Sequence, residues 1–211
     1  MKILSVNTAK PKTIIWEGKN IKTSIFKTSV EGPQKVSYLK VGDDTQCELK
    51  FHGGRNKAIY SYDYSYYEIW KSKIEHKNWS YGIFGENLTT EGLADDIIKI
   101  GNIYQAGSVI FKAIQPRIPC FKLNLPFRRN DMLNMFYNSK NYGTYFRVIK
   151  EGNIESGNSI KLIEESPCPY TISDLVEIYA TRGKNQQLLI NILDSPFFPE
   201  EIRQNYTKFL L

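Results

Sequence analysis

The chain has 211 residues, 41% hydrophobic and 24% charged, with a net charge of +6. That length fits one large domain, or one domain with a small appendage, and supplies enough apolar side chains to bury a core without staples. Only two histidines and three scattered cysteines (Cys47, Cys120 and Cys168) argue against a histidine metal cluster, a disulfide framework and a Cys-x-x-Cys zinc site.

Cysteine usage of this kind suits the reducing cytosol. No apolar stretch approaches the roughly 20 residues needed to span a bilayer. The N-terminus runs into a short apolar stretch without signal-peptide anatomy, so a cytoplasmic protein is expected. Charge is uneven: residues 1 to 166 hold 24 basic and 17 acidic groups, while Pro167 to Leu211 hold four and five. A surplus of seven suits an anionic ligand or nucleic acid. Without a block of consecutive Lys/Arg, an anionic cofactor or substrate explains it at least as well.

In chain order, Lys2 to Asn7, Thr13 to Glu17 and Ile21 to Lys27 read as strands, with Gly18-Lys19-Asn20 as a hairpin loop between the last two. Glu31-Gly32-Pro33 is a turn, and Val36 to Leu39 a short strand before the polar turn 41–46. Phe51-His52-Gly53-Gly54-Arg55-Asn56-Lys57-Ala58 follows. Its paired glycines permit close backbone approach, and Arg55 and Lys57 suit an anion held beside exposed amides. A tight turn with solvated charges explains the same residues, and His52 alone reads as a hydrogen-bonded structural residue.

From Tyr62 to Lys77 the period becomes helical. Tyr66, Trp70 and Ile74 form one apolar stripe behind Asp63 as N-cap, most simply a core face. Phe84 to Leu93 reads as a loop, with Glu86 and Asn87 facing a site or serving a turn. Asp96 to Gln105 and Ser108 to Gln115 are strand candidates, Asn130 to Tyr137 a short helix, and Thr144 to Glu151 and Ser159 to Glu165 closing strands. Thr171 to Ala180, Lys184 to Leu193 and Pro199 to Leu210 read as three helices, the first opened by a capping box of Thr171 and Asp174. A division into a strand-rich body, 1–166, and a helical segment, 167–211, is expected.

The stretch that organises this body is Gln115-Pro116-Arg117-Ile118-Pro119-Cys120-Phe121-Lys122-Leu123. Each proline fixes its own φ and restricts the residue before it, so a stiff segment delivers one thiol between Arg117 and Lys122. Neighbouring cations favour the thiolate, the form that binds metals and attacks electrophiles. A buried loop cysteine is the competing reading.

Together, Phe51-His-Gly-Gly-Arg-Asn-Lys-Ala, Phe84-Gly-Glu-Asn-Leu-Thr, Ile100-Gly-Asn and Gln115-Pro-Arg-Ile-Pro-Cys-Phe-Lys-Leu resemble the ordered signatures of the MOSC domain. That domain takes its name from the C-terminal part of molybdenum-cofactor sulfurase. Lys10-Pro-Lys-Thr-Ile-Ile-Trp, Ile25-Phe-Lys-Thr and the three helices place the chain among the YiiM-like stand-alone members. Asn102 departs from the Gly-Asp common in the family, a change expected to touch a turn only.

The resemblance implies a mainly β fold: a closed, complex-topology β-barrel of the pyruvate-kinase barrel type with peripheral and C-terminal helices. It also implies a molybdenum cofactor (molybdopterin) whose metal is bound by Cys120. A soft thiolate suits that role. Arg55, Lys57, Arg117 and Lys122 are candidates for the cofactor's phosphate. Glu86 and Asn87 are candidates for its pterin, and Gly53 and Gly54 for close approach. Cys47 and Cys168 match no motif and read as structural.

The implied activity is molybdenum-dependent reduction of N-hydroxylated compounds such as N-hydroxylated purines, a detoxifying reaction, with Cys120 at the metal and His52 and Glu86 as candidates for proton relay. The chain lacks cysteines for an iron–sulfur cluster and a Gly-x-Gly-x-x-Gly fingerprint, so a separate flavoprotein or ferredoxin is expected as electron donor. The alternative is a non-catalytic carrier of cofactor or sulfur, with a persulfide on Cys120. Nucleic-acid binding ranks low, because the strongest aromatic spacing lies on a core helix.

Overall fold

The structure, a computed structural model, describes residues 1–47 and 53–211. Its largest sheet is built from β1 (Lys2–Thr8), β4 (Thr28–Ser29), β6 (Ile59–Asp63), β7 (Leu88–Glu91), β8 (Ile103–Ala106), β9 (Val109–Pro116), β10 (Thr144–Lys150) and β12 (Ile160–Glu164). Their order is β12-β8-β9-β10-β6-β7-β1-β4. Neighbours are antiparallel except β6 and β7, which run parallel. Beyond its partner β7, β1 also bonds the segment leading into β12. Ile3 N–H donates to Asn158 O (2.9 Å), Gly157 N–H to Ile3 O (2.8 Å) and Ile160 N–H to Met1 O (2.9 Å). The two margins of the sheet therefore lie side by side.

Two small sheets flank it: β5 (Gln34–Val36) with β11 (Gly152–Ile154), and the hairpin β2 (Lys12–Trp16) with β3 (Lys19–Thr23). The hairpin turns at Glu17-Gly18, both with positive φ (49° and 75°), as a two-residue primed turn requires. The loop expected at Gly18–Asn20 is thus one residue earlier. The strand expected through Lys27 stops at Thr23, because local bonds replace the ladder. Ile25 N–H donates to Thr23 Oγ1 (3.2 Å) and Lys27 N–H to Ile25 O (2.9 Å).

Of the strand expected over Asp96 to Gln105, only Ile103–Ala106 forms. Ile98 and Ile100 are buried, but their backbones bond to the segment before the C-terminal helices, through Ile172 N–H to Ile98 O and Ile100 N–H to Tyr170 O (both 2.9 Å). Asn102 sits in the turn that follows and holds Ser166 N–H on its Oδ1 (2.8 Å).

The expected helix after Asp63 is α1 (Tyr64–Lys73), capped by Asp63, whose side chain accepts from Ser65 N–H at 3.0 Å. Its stripe packs into an aromatic core: Trp70 stacks on Phe136 at 5.7 Å and donates through Nε1 to Tyr62 Oη (2.8 Å). Short helices α2 (Asn124–Phe127) and α3 (Met132–Ser139) follow β9, and α4 (Ile172–Ala180), α5 (Gln186–Asp194) and α6 (Glu200–Thr207) end the chain. The capping box of Thr171 and Asp174 is present. Ile172, Leu175, Val176 and Ile178 of α4 are buried in the common core.

Gly143 sets the entrance to β10. A Cβ there would lie 2.4 Å from Ser61 O, and its φ is +73°. The resulting close approach lets Gly143 O accept from Arg117 N–H at 2.9 Å, which fixes the start of the cysteine segment.

Candidate functional site: a cationic cavity around Cys120

Strand β9 ends at Pro116, and the chain then runs through Arg117 to Cys120, which is extended (φ −132°, ψ 165°) and opens a 3-10 turn over Phe121–Leu123. Leu123 N–H closes that turn on Cys120 O (3.0 Å). Ladder β9–β10 slips one residue between Tyr145 and Phe146, which pair with Gln115 and Ala113. Such a bulge re-aims side chains, and it accompanies Tyr145 facing the same cavity as Arg117.

That cavity, about 80 Å³, is walled by Cys120, Arg117, Lys122 and Tyr145 from this side. Ser24, Ile25, Lys27, Asp44, Gln46 and Cys47 come from the N-terminal third, and Tyr60, Gly85 and Asn87 from the middle.

The electrostatics are those of a buried cation cluster. Arg117 is 5% exposed, and its Nη1 is buried with no hydrogen-bond partner among the described residues. Burial opposes its charge, but Tyr60, Cys120 and Tyr145 beside it favour the charge, and the net shift is upward. Lys27 is sealed in by an ion pair with Asp44, and burial pushes its ammonium pKa down against that partner's pull. Asp44 also accepts from Ala9 N–H (2.8 Å) and Asn87 Nδ2 (2.9 Å), while Asn87 Oδ1 takes Tyr60 N–H (3.2 Å). Burial raises the phenol pKa values of Tyr60 and Tyr145, with Arg117 opposing, so both stay protonated donors. A thiol, an unsatisfied guanidinium N–H and a framework of satisfied polar groups suit an anion and a soft metal together.

The expected residues divide. Cys120, Arg117, Lys122 and Asn87 share this wall, with Lys122 Nζ also donating to Lys22 O (3.0 Å). Gly53, Gly54, Arg55 and Lys57 line a different cleft, with Tyr38, Arg147 and Glu201. There Arg55 stands over the Tyr38 ring at 4.8 Å, and burial lowers the Lys57 pKa. His52 lies outside the described residues. Glu86 is absorbed by its own turn: its carboxylate accepts from Tyr67 Oη, Gly82 N–H (2.9 Å), Phe84 N–H (3.1 Å) and Thr89 Oγ1 (2.8 Å). Burial raises its pKa despite those donors. Cys168 is buried, its thiol pKa pushed up by burial, as a structural cysteine should be. Cys47 is not such a residue, since it faces the cavity with Sγ 3.0 Å from Ser24 Oγ.

Sequence reasoning missed Lys27, Asp44, Tyr60 and Tyr145 as wall residues. One signal was available: Lys27 lies in the Ile25-Phe-Lys-Thr motif that carried part of the resemblance, and a lysine among apolar neighbours needs a buried partner.

Among known proteins, residues 48–161 match the MOSC domain. The chain is 29% identical over 206 residues to the uncharacterized protein YflK of Bacillus subtilis, covering 98% of this chain and 93% of that one. It is 30% identical over 182 residues to a protein of Gibberella moniliformis named reductase, covering 85% of this chain but only 32% of that protein. The crystal structure of YiiM from Geobacillus stearothermophilus superposes with a TM-score of 0.81 at 31% identity, covering 100% of this chain and 99% of that one. The family match across the cysteine segment and the whole-length YiiM likeness agree: this chain belongs to the MOSC domain family and is YiiM-like.

Proposed function

We propose that this chain is a molybdenum-cofactor-dependent reductase of N-hydroxylated compounds, with the metal held by the Cys120 thiolate. MOSC domains are associated with that cofactor, and one relative bears the name reductase, although this chain spans about a third of it. The reading is carried by the placement of Cys120 and buried Arg117, whose Nη1 has no hydrogen-bond partner among the described residues, on the wall of one cavity. The hydrogen bonds between the sheet margins, at Met1, Ile3 and Ile160, support the closed barrel as the frame of that cavity. The helices beyond 166 are taken as its appendage.

These residues fit the cofactor. Cys120 offers a soft donor to the metal, and Arg117, with Lys122 beside it, offers N–H groups to a phosphate. When bound, the cofactor supplies the two-electron reduction of an N–O bond, and the protein supplies binding, orientation and electrostatics. Arg117 holds an anion where water is largely excluded, which strengthens the contact. Lys27 and Asp44 satisfy each other and fix Asn87, keeping the wall rigid. Tyr60 Oη is committed to Tyr142 O (2.9 Å), which leaves Tyr145 as the phenol for proton delivery at the wall. Tyr145 is therefore preferred for proton relay over Glu86, whose oxygens already accept other donors. Anaerobic turnover of an N-hydroxylated purine with reduced methyl viologen tests the reading, and no turnover by metal-loaded protein would refute it.

A second reading, a carrier of cofactor or sulfur, is favoured by Cys47 on the same wall, which gives the cavity two thiols. Stable persulfide on Cys120 without reductase turnover would support it.

A further inference from the structure

We propose that the cleft lined by the 53–57 turn, β10 and α6 is a second ligand site, separate from the Cys120 cavity, which takes a nucleoside monophosphate. The two linings share no residue. At about 600 Å³ the cleft has the volume of a small-molecule site. Gln115 shows that it is built for an occupant. This residue is held in the β9–β10 ladder opposite Tyr145 and is 8% exposed. Its carboxamide lines the cleft and has no hydrogen-bond partner among the described residues. An unpaired carboxamide in a buried position costs free energy, and a ligand that both donates and accepts there removes the cost.

The other lining groups specify an anion and a flat ring. Glu201 of α6 is paired with Arg147 Nη2 (2.7 Å), and Arg147 Nε donates to Asn56 Oδ1 (2.7 Å). Those bonds fix Arg147 and neutralise the one carboxylate among the described lining residues. Arg55 is a further cation beyond that pair. It stands over the Tyr38 ring at 4.8 Å and makes no hydrogen bond among the described residues, so its fork of N–H groups is available to a phosphate. Beside it Gly54 has φ 94° and ψ 167°, a conformation confined to glycine, and a Cβ there would meet nothing within 4 Å. The turn thus presents bare backbone to open space. A glutamine carboxamide matches the edge of adenine, accepting from the N6 amino group and donating to N7. A base edge for Gln115, a planar ring for the Tyr38 and Arg55 faces and a phosphate for the Arg55 N–H groups are combined in a nucleoside monophosphate.

The test is calorimetric titration of the whole chain with AMP, adenosine and inorganic phosphate, and it needs neither metal nor turnover. AMP is expected to bind wild type and Arg117→Met alike, because Arg117 belongs to the other cavity. In Arg117→Met, AMP should bind at least about tenfold more tightly than adenosine or inorganic phosphate, each of which lacks part of the contacts. Arg55→Gln and Gln115→Leu should each weaken AMP about tenfold or more. Arg55 is exposed, so its variant is expected to fold and decides the matter if Gln115→Leu does not. No binding of AMP, or binding unchanged by Arg55→Gln, overturns the proposal. Loss of AMP binding in Arg117→Met would move the nucleotide to the Cys120 cavity, and inorganic phosphate binding as tightly as AMP would leave no role for the base. Either result refutes the assignment.

Discussion

Lys27 and Asp44 form an ion pair inside the wall of the Cys120 cavity, their side chains 8% and 2% exposed. Removing both charges from water is costly, and the pair is held because Asp44 also receives Ala9 N–H and Asn87 Nδ2. Lys27→Met leaves a buried carboxylate without its cation and is expected to cost about 3–5 kcal/mol, read by urea denaturation. The double variant Lys27→Met/Asp44→Leu should recover part of that loss. A single variant as stable as wild type would show that the pair is not sealed.

Arg117 is the opposite case, a buried cation with an unused N–H. Inorganic phosphate is expected to bind the metal-free protein and stabilise it by about 2.7 kcal/mol at a hundred times its Kd, a rise of several degrees in Tm. Arg117→Met should remove the ligand-specific part of that rise, leaving the small effect phosphate has on any folded protein. An equal rise in both proteins would place the anion elsewhere.

The fold carries a pH dependence from Asp95. Burial raises its pKa from 3.8 to about 6, although Tyr142 N–H, Gly143 N–H and Thr144 Oγ1 all donate to it. A carboxyl whose pKa is higher in the folded state binds its proton more tightly there. Its stabilising contribution is full below the unfolded pKa and is lost as pH rises through about 6. That contribution is on the order of 3 kcal/mol, falling between about pH 4 and pH 6, and Glu86, also raised by burial, acts in the same direction. Asp95→Asn, which can keep Gly143 on its oxygen and donate to Thr144, should flatten this slope in urea titrations at stepped pH.

Glu86 illustrates what the sequence could and could not reveal. Its setting in Phe84-Gly-Glu-Asn-Leu suggested a side chain aimed at a ligand, but four donors from its own turn, from Tyr67 and from Thr89 enclose it. Neighbouring Asn87 does line the cavity. Adjacent residues at a strand entrance point to opposite sides, and sequence alone does not say which side is the site. Helices with clear periodicity and caps, at Asp63 and at Thr171, were legible because both signals are local. Strand β6 was not, because all five of its residues are buried and the polar alternation that marks a half-exposed strand is missing. Tyr60 belongs to it and was lost with it. Glu86→Gln is expected to lower stability through its lost charge-assisted bonds, while leaving phosphate binding at Arg117 unchanged. Equal loss of both would return Glu86 to the site.

Metal content decides whether Cys120 anchors a molybdenum cofactor. Molybdenum should be measured in protein purified without oxygen from a cofactor-competent host, for wild type, Cys120→Ser and Cys47→Ser. Near-stoichiometric molybdenum is expected in wild type and Cys47→Ser, with its loss in Cys120→Ser and all three proteins folded. No molybdenum in the folded wild type, or full retention by Cys120→Ser, would contradict it.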